Sequence, residues 1–147
     1  IKLKRNLSKY IHSFPIKKNE ITKAILANKS NLNKIVKIVH LEVRKKMNIF
    51  LRKNKNKKIV ILDIPLLLEN KINNEKDILV FVESKKKDIL KRLNKRNNFN
   101  KELFSKFQNI QFPLRYKKKK SKFVIKNDFT KNTIKKYIND TLNQIFI

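Results

Sequence analysis

The chain contains no glycine in 147 residues, and this absence limits what it can fold into and bind. Turns that wrap around phosphate groups need residues at positive φ and backbone amides that reach the ligand without an intervening Cβ. A Walker A loop and a GxGxxG turn both depend on glycines of this kind. The sequence therefore excludes both loops from these residues.

Other features of the composition exclude further classes of protein. The chain has no cysteine and two histidines, which rules out disulfides and thiolate metal sites and leaves little imidazole for a metal cluster. No HExxH motif is present, the acidic residues are scattered, and neither histidine lies in the context of a hydrolase nucleophile. We therefore predict no metal site formed by the chain, no hydrolytic chemistry, and a reducing, cytoplasmic setting.

The apolar stretches are too short to cross a membrane. The longest, 59–68, is interrupted by Asp63 and Pro65, and the basic start IKLKRNLSKY is not followed by an apolar segment. The sequence therefore predicts a protein that is neither secreted nor membrane-spanning. Residue 1 is Ile rather than Met, which is consistent with a fragment or a truncated reading frame.

The formal charge of +28 would ordinarily indicate a nucleic-acid-binding protein. A surface that follows a phosphate backbone concentrates its lysines and arginines on one face or arm. Here residues 1–50, 51–100 and 101–147 hold 13, 14 and 12 of them, which is an even distribution. We attribute the charge to a composition of the kind that A/T-rich codons produce. A basic nucleic-acid-binding protein remains the alternative function.

Helical patterns alternate with short apolar runs along the chain. The best helical pattern follows a cap at Ser30 or Asn31 and ends near residue 53. Continuous apolar runs at 59–63, 78–83 and 123–126 predict strands buried on both faces, which is typical of a parallel sheet. Further helices are predicted at 20–27, 66–72, 85–97 after a cap at Ser84, 101–110 after a cap at Asn100, and 131–145. This alternation predicts an α/β fold in which helices flank a parallel sheet core.

Three groups of polar residues could carry chemistry in such a fold. Asp63 ends the first predicted strand, where parallel sheets bind ligands, or it caps the turn that follows. His40 and Arg44 lie one turn apart on one helix face, although a histidine in that place is more often a boundary residue. The third group is cationic and could stabilise a phosphoryl group or form a solvated face. Its members are Arg92, Arg96, Arg115 and Lys117.

In this order and spacing, these features resemble the dephospho-coenzyme A kinases. The segment DIPLLLEN at 63–70 is similar to the family's Pro-Leu-Leu and Glu segment. HLEVR resembles its His-Pro-x-x-Arg, with Leu41 in place of Pro, and KRLNKR places Arg92 and Arg96 at its two helical arginines. The family's Gln-x-Pro, Lys and Ile-x-Asn pattern is matched without a gap by Gln111, Pro113, Lys117, Ile125 and Asn127. One Pro-Leu-Leu is weak, but five ordered elements at this spacing are specific.

The resemblance implies a P-loop kinase-like fold and ATP-dependent phosphorylation of the ribose 3′-hydroxyl of dephospho-coenzyme A, the last step of coenzyme A synthesis. It implies ATP and Mg²⁺ as cofactors, dephospho-coenzyme A as the partner, and no nucleic acid beyond nonspecific attraction. It also divides the chain 1–147 into a helical substrate region at about 20–53, a core at 59–83 and 123–147, and a lid at about 91–120.

Individual roles are likewise implied by the resemblance. Substrate binding is assigned to His40, Arg44, Asp63, Pro65 and Leu66. Lid candidates are Arg92, Arg96 and Lys117, and nucleotide binding is assigned to Gln111 and Asn127. The family's first strand, Walker A loop and expected catalytic base would all precede residue 1. We therefore expect a partial kinase domain with negligible activity alone.

Overall fold

The computed structural model describes residues 2–146, and this range forms seven α-helices and two β-strands. Within it the chain separates into two compact units, one made of residues 2–72 and 101–110 and the other of residues 73–100 and 111–146. In chain order the elements are α1 (Lys2–Asn6), α2 (Lys18–Ala27), α3 (Lys29–Lys53), β1 (Val80–Glu83), α4 (Lys86–Asn94), α5 (Lys101–Asn109), α6 (Leu114–Lys120), β2 (Phe123–Lys126) and α7 (Lys131–Phe146). The predicted α/β class is confirmed, with a smaller parallel sheet than expected.

An apolar core holds the first unit together. Its buried side chains come from α2, α3 and the segment that joins α1 to α2, and α5 packs against α2. They are Leu7, Ile11, Ala24, Ile25, Leu32 and Ile35, with Leu103, Phe107 and Ile110 partly buried against them. Removing this apolar surface from water stabilises the unit. Helix α5 thus packs with the helical unit, although it lies in the range 91–120 that the resemblance assigns to a lid.

Helix α3 begins at Lys29, before either of its predicted caps. Its N-cap is Asn28, whose side-chain oxygen accepts a hydrogen bond from Ser30 N at 2.7 Å. Asn31 is buried and donates from Nδ2 to Ala24 O at 3.0 Å, which joins α3 to α2. The prediction of a cap at Ser30 or Asn31 is therefore wrong, because the Asn31 amide satisfies a buried carbonyl of the preceding helix.

Residues 59–72 contradict two predictions. The run 59–63 forms no strand, and Ile61 in its middle is 81% exposed. A strand forms only where a neighbour pairs with its backbone, and the two strands of the described range pair with each other and not with 59–63. Residues 65–71 are turns rather than the predicted helix 66–72. The reason is that Leu66 and Lys71 have φ values of 56° and 49°, which a right-handed helix excludes.

A parallel pair of strands forms the sheet of the second unit. Val80 of β1 lies opposite Phe123 of β2, and the register continues to Glu83 opposite Lys126. Helix α7 packs against β2, as the pattern at 131–145 predicts. None of the helices described between residues 2 and 146 has the length and apolar character that a membrane crossing requires.

Helix α4 is shorter than the sequence predicts. It begins after Lys85, so that Ser84 is not its cap, and it ends at Asn94 rather than 97. Beyond it, Arg96 N donates to Leu93 O and Phe99 N donates to Arg96 O, both at 3.0 Å. These turn hydrogen bonds replace the helical ones and end α4 early.

Glu20 joins α2 to the chain that precedes it. Its carboxylate accepts hydrogen bonds from the Ser13 hydroxyl and from the backbone N–H groups of His12, Ser13 and Lys17. The Ser13 hydroxyl and these backbone donors stabilise the ionised form and lower the pKa of Glu20 from 4.5 to about 2. The carboxylate therefore fixes residues 12–17 to the first turn of α2.

We expect the first unit to lose stability in acid through Glu20. Because the pKa of Glu20 is lower in the folded state, its stabilisation is fully present above pH 4.5 and is lost as the pH falls toward about 2. Glu20→Gln should lower the melting temperature at pH 7 and flatten its dependence on pH in acid. Circular dichroism melts from pH 7 to about 2 measure this. Glu42→Gln, at an exposed position of α3, should keep the wild-type pH dependence, and the same dependence in Glu20→Gln would contradict the prediction.

Candidate functional site

Helix α3 presents Arg44 to the end of the turn formed by residues 65–71. Arg44 Nη2 donates to Asn70 O at 2.6 Å and to Lys71 O at 2.8 Å. Hydrogen bonds from a charged donor are about twice as strong as neutral ones. A residue that was predicted to bind substrate thus contacts the Pro-Leu-Leu segment directly.

His40 contacts the same turn through Asn70. The distance from His40 Nε2 to Asn70 Nδ2 is 3.1 Å, and His40 Nδ1 is buried with no hydrogen-bond partner in the described part of the chain. Burial lowers the pKa of His40, and the positive charge of Arg44 lowers it further. The imidazole is therefore predominantly neutral at pH 7.

Hydrogen bonds from both the backbone and a side chain close the turn. Asn70 donates to Leu66 O twice, from its backbone N at 3.1 Å and from Nδ2 at 3.0 Å. Ile72 N donates to Leu67 O at 3.0 Å. A left-handed conformation costs a residue other than glycine roughly 1 to 2 kcal/mol, and Leu66 and Lys71 both adopt it. The contacts of Asn70 and Arg44 offset that cost.

Asp63 precedes the turn, Pro65 is its first residue, and both are exposed. The expectation that Asp63 ends a buried strand is wrong, because residues 59–63 form no strand. The structure nevertheless places Asp63, Pro65 and Leu66 in the same compact unit as His40 and Arg44. Their roles in substrate binding remain predictions.

A second group of predicted residues meets at the loop after β2. Asn127 N donates to Glu83 O at 2.8 Å, and Asn127 Oδ1 accepts from Phe129 N at 2.8 Å. The guanidinium carbon of Arg92 lies 4.5 Å from the centre of the Phe129 ring, which is a cation–π contact. Arg92 of α4 and Asn127 are therefore linked through Phe129, whose φ of 65° is left-handed.

Asp128 attaches this loop to the start of α7. Its Oδ1 accepts hydrogen bonds from the N–H and the hydroxyl of Thr130, and its Oδ2 accepts from the Thr133 hydroxyl. The Thr130 N–H, followed by the Thr130 hydroxyl, lowers the pKa of Asp128. The loop that carries Asn127 is thus fixed at both ends, by β1 and by α7.

The predicted lid residues occupy several places in the second unit. Lys117 Nζ lies 3.3 Å from Gln111 Oε1, so these two predicted residues are in contact. Lys118 Nζ lies 2.7 Å from Glu83 Oε1, an ion pair that joins α6 to the end of β1. Arg96 is exposed in the turn that follows α4.

Comparison with known proteins identifies the family. The family model described as dephospho-CoA kinase matches residues 14–133, which is most of the chain. The chain belongs to the dephospho-CoA kinase family. The sequence is 30% identical over 132 residues to the dephospho-CoA kinase of Wolbachia pipientis wMel, covering 88% of this chain and 67% of that protein. It is 36% identical over 110 residues to that of Bacillus anthracis, covering 72% and 54%.

The dephospho-CoA kinases are phosphate-transferring enzymes of coenzyme A biosynthesis, and this chain is a member of that family. The dephospho-CoA kinase from Wolbachia sp. subsp. Brugia malayi is similar over a longer range, 27% identical over 143 residues, which covers 96% of this chain and 73% of that protein. The chain therefore spans between about half and three quarters of the length of these three relatives. Every residue to which the sequence assigned a role lies within the matched range 14–133.

Sequence reasoning gave no role to two residues that contact the predicted ones, Asn70 in the first unit and Phe129 in the second. Asn70 lies inside the segment DIPLLLEN, and asparagine is a frequent turn residue that bonds its own backbone, so its type offered a signal. Phe129 offered none, because a bulky side chain disfavours the left-handed conformation that it adopts. Its stacking partner Arg92 is distant in sequence and was predicted only as a lid cation.

Arg44→Ala should destabilise the first unit, because two carbonyl oxygens lose a charged donor. We expect a decrease of about 1 to 3 kcal/mol in the free energy of unfolding, measured by urea denaturation. Arg44→Lys should recover only part of it, because an ammonium group lacks the geometry of a guanidinium. Arg52→Ala, on an exposed position of the same helix, should change it by about 0.5 kcal/mol at most. Equal effects of Arg44→Ala and Arg52→Ala would contradict this account.

Proposed function

We propose that this chain contributes the substrate side, the lid and part of the sheet of an enzyme that uses ATP to phosphorylate the ribose 3′-hydroxyl of dephospho-coenzyme A, giving coenzyme A. Membership of the dephospho-CoA kinase family supports the proposal. The observation that carries it is that His40 and Arg44 of α3 both contact the turn 65–71. Two segments that resemble the family's substrate motifs thus form one cluster inside one compact unit.

The cluster has the chemistry to bind an anionic nucleotide substrate. Arg44 uses Nη2 to bind the turn, and a guanidinium carries further donors on Nη1 and Nε that can meet a phosphate oxygen. Asp63 offers a carboxylate that can accept a hydrogen bond from a substrate hydroxyl. Pro65 and Leu66 supply apolar surface beside these groups. In the proposal, Arg44 supports the turn and binds substrate at the same time.

The second unit supplies cations for the phosphoryl group. Charge in phosphoryl transfer is spread over the oxygens of the moving group, which positioned cations stabilise. Arg92, Arg96 and Lys117 are the candidates, and the contact of Lys117 with Gln111 supports the placement of one of them. We assign nucleotide binding to Gln111 and Asn127. The assignment of Asn127 is supported by its hydrogen bond with Phe129, whose ring contacts Arg92.

ATP and Mg²⁺ are the cofactors of this proposal. Exposed cations of the second unit fit the charge of the ATP phosphates, but the chain has no glycine for a phosphate loop. Among residues 2–146, no three His, Asp or Glu side chains lie close enough together to form a metal site of their own. We assign Mg²⁺ to no residue of this chain, and we propose that the phosphate loop and the catalytic base belong to a segment outside residues 1–147. The cytoplasmic setting stays a prediction.

Dephospho-coenzyme A should bind this chain saturably. At a hundred times its dissociation constant the ligand should stabilise the first unit by about 2.7 kcal/mol, seen as a rise in melting temperature. His40→Ala should weaken binding roughly tenfold, because the substituted residue takes part in the cluster. His12→Ala, which changes the other histidine, should leave the affinity unchanged.

The net charge of +28 makes ionic controls essential for this measurement. Inorganic pyrophosphate at the same ionic strength reports binding by charge alone, which falls steeply with added salt. A shift with dephospho-coenzyme A that pyrophosphate reproduces would contradict the proposal. Saturable binding of one nucleic acid sequence or structure at physiological salt would favour the alternative function instead.

We also expect binding without turnover. Loss of a single charge-stabilising donor commonly lowers an enzyme's rate by about 100- to 1,000-fold, and here the whole phosphate loop is outside the chain. A coupled assay for ADP with ATP, Mg²⁺ and dephospho-coenzyme A should therefore show no activity above background. Measurable formation of coenzyme A by this chain would contradict that expectation.

A further inference from the structure

The carbonyl of Leu66 fixes the orientation of the Asn70 side chain. A carbonyl oxygen only accepts hydrogen bonds, so the Asn70 atom 3.0 Å from Leu66 O must be the amide nitrogen Nδ2. The backbone N of Asn70 donates to the same oxygen at 3.1 Å and holds the side chain beside it. The two possible orientations of this amide are therefore not equivalent.

This orientation decides which nitrogen of His40 carries the proton. Asn70 Nδ2 is a donor, so His40 Nε2, 3.1 Å away, must accept and has no proton. A neutral imidazole whose Nε2 accepts carries its proton on Nδ1. The Leu66 carbonyl thus fixes the orientation of the Asn70 amide, and that amide fixes the position of the proton on the His40 ring.

The environment of His40 keeps the ring in this form. Protonation of Nε2 would place a donor against the donor Nδ2, and it would add a positive charge beside the guanidinium of Arg44. The Nδ1–H group is buried and has no acceptor within the described residues, which is unfavourable for a polar group. Buried donors without partners are rare, and each calls for an explanation.

We propose that Asn70 is a positioning residue that holds His40 as the neutral imidazole with its proton on Nδ1. The role of His40 toward substrate rests on the proposed function, and the tautomer does not. In this arrangement Nε2 is occupied, so His40 cannot remove a proton from the substrate through it. Because Nδ1 is buried, His40 contributes to binding by supporting the turn 65–71 through Asn70 rather than by touching the ligand.

Nitrogen-15 NMR of the histidine side chains tests this directly. The chain has two histidines, so His12 provides an internal reference in the same spectrum. For the wild type we expect a protonated Nδ1 and an unprotonated Nε2 at His40 at pH 7. A protonated Nε2 would overturn the proposal without the need for any variant.

Two substitutions of Asn70 test the cause of the tautomer. Asn70→Asp replaces the donor with an acceptor, so the proton should move to Nε2 and the pKa of His40 should rise. Asn70→Ala should release the preference for Nδ1. The matched control is Asn54→Ala, since Asn54 Nδ2 donates to Phe50 O at 2.8 Å, the same bond to the carbonyl four residues earlier but with no histidine attached. It should leave the His40 signals unchanged, and an unchanged tautomer in Asn70→Asp would overturn the proposal.

Binding of dephospho-coenzyme A separates this inference from the proposed function. If both hold, Asn70→Asp should weaken binding about tenfold relative to wild type, and Asn54→Ala should not. Ligand binding by a wild type whose His40 carries its proton on Nε2 would refute the positioning role alone. Absence of binding by a wild type with the expected tautomer would refute the proposed function alone.

Discussion

Two carbonyl oxygens at the end of the turn 65–71 depend on the guanidinium of one residue, Arg44. The turn has left-handed residues at Leu66 and Lys71, and its backbone alone would not favour that conformation. A charged donor from the long helix α3 supplies the missing stabilisation. The position of His40, one helical turn before Arg44, follows from the same contact, as does the position of the Leu66 carbonyl that orients Asn70. The candidate substrate side is therefore only as ordered as the contact between α3 and this turn.

The elements that could be predicted from the sequence are those that have a clear apolar pattern within their own residues. Helices α2, α3, α5 and α7 carry periodic apolar positions, and each forms within three residues of its predicted bounds, although Val39 and Phe50 of α3 are exposed. The runs at 78–83 and 123–126 pair with each other as β1 and β2. Two predictions that failed, the strand 59–63 and the helix 66–72, depended on more than the local apolar pattern. The run 59–63 has the composition of a buried strand, but pairing is a property of two segments. The segment 66–72 has helical spacing, but two left-handed residues end it.

The candidate site residues could likewise be predicted only in part. The placement of His40 beside Arg44 follows from helical geometry, and their connection with DIPLLLEN was expected only because the whole pattern resembles a family. Asn70 was visible inside that segment, yet its donor role depends on a carbonyl and an imidazole that the fold brings together. The left-handed conformation of Phe129 could not be predicted, because the contact that favours it is with Arg92, which is distant in sequence. Contacts of this kind join residues far apart in sequence, and local patterns do not record them.

The three left-handed residues have a consequence for ligand affinity. Glycine at such positions gives a loop many conformations. A ligand that selects one of them must compensate for the conformational entropy that the loop loses. Leu66, Lys71 and Phe129 each carry a Cβ, which narrows the range of backbone conformations open to their turns. Part of the ordering cost is thus met during folding rather than during binding. Preorganisation of this type favours slow dissociation and a small entropic penalty, at the expense of folding stability.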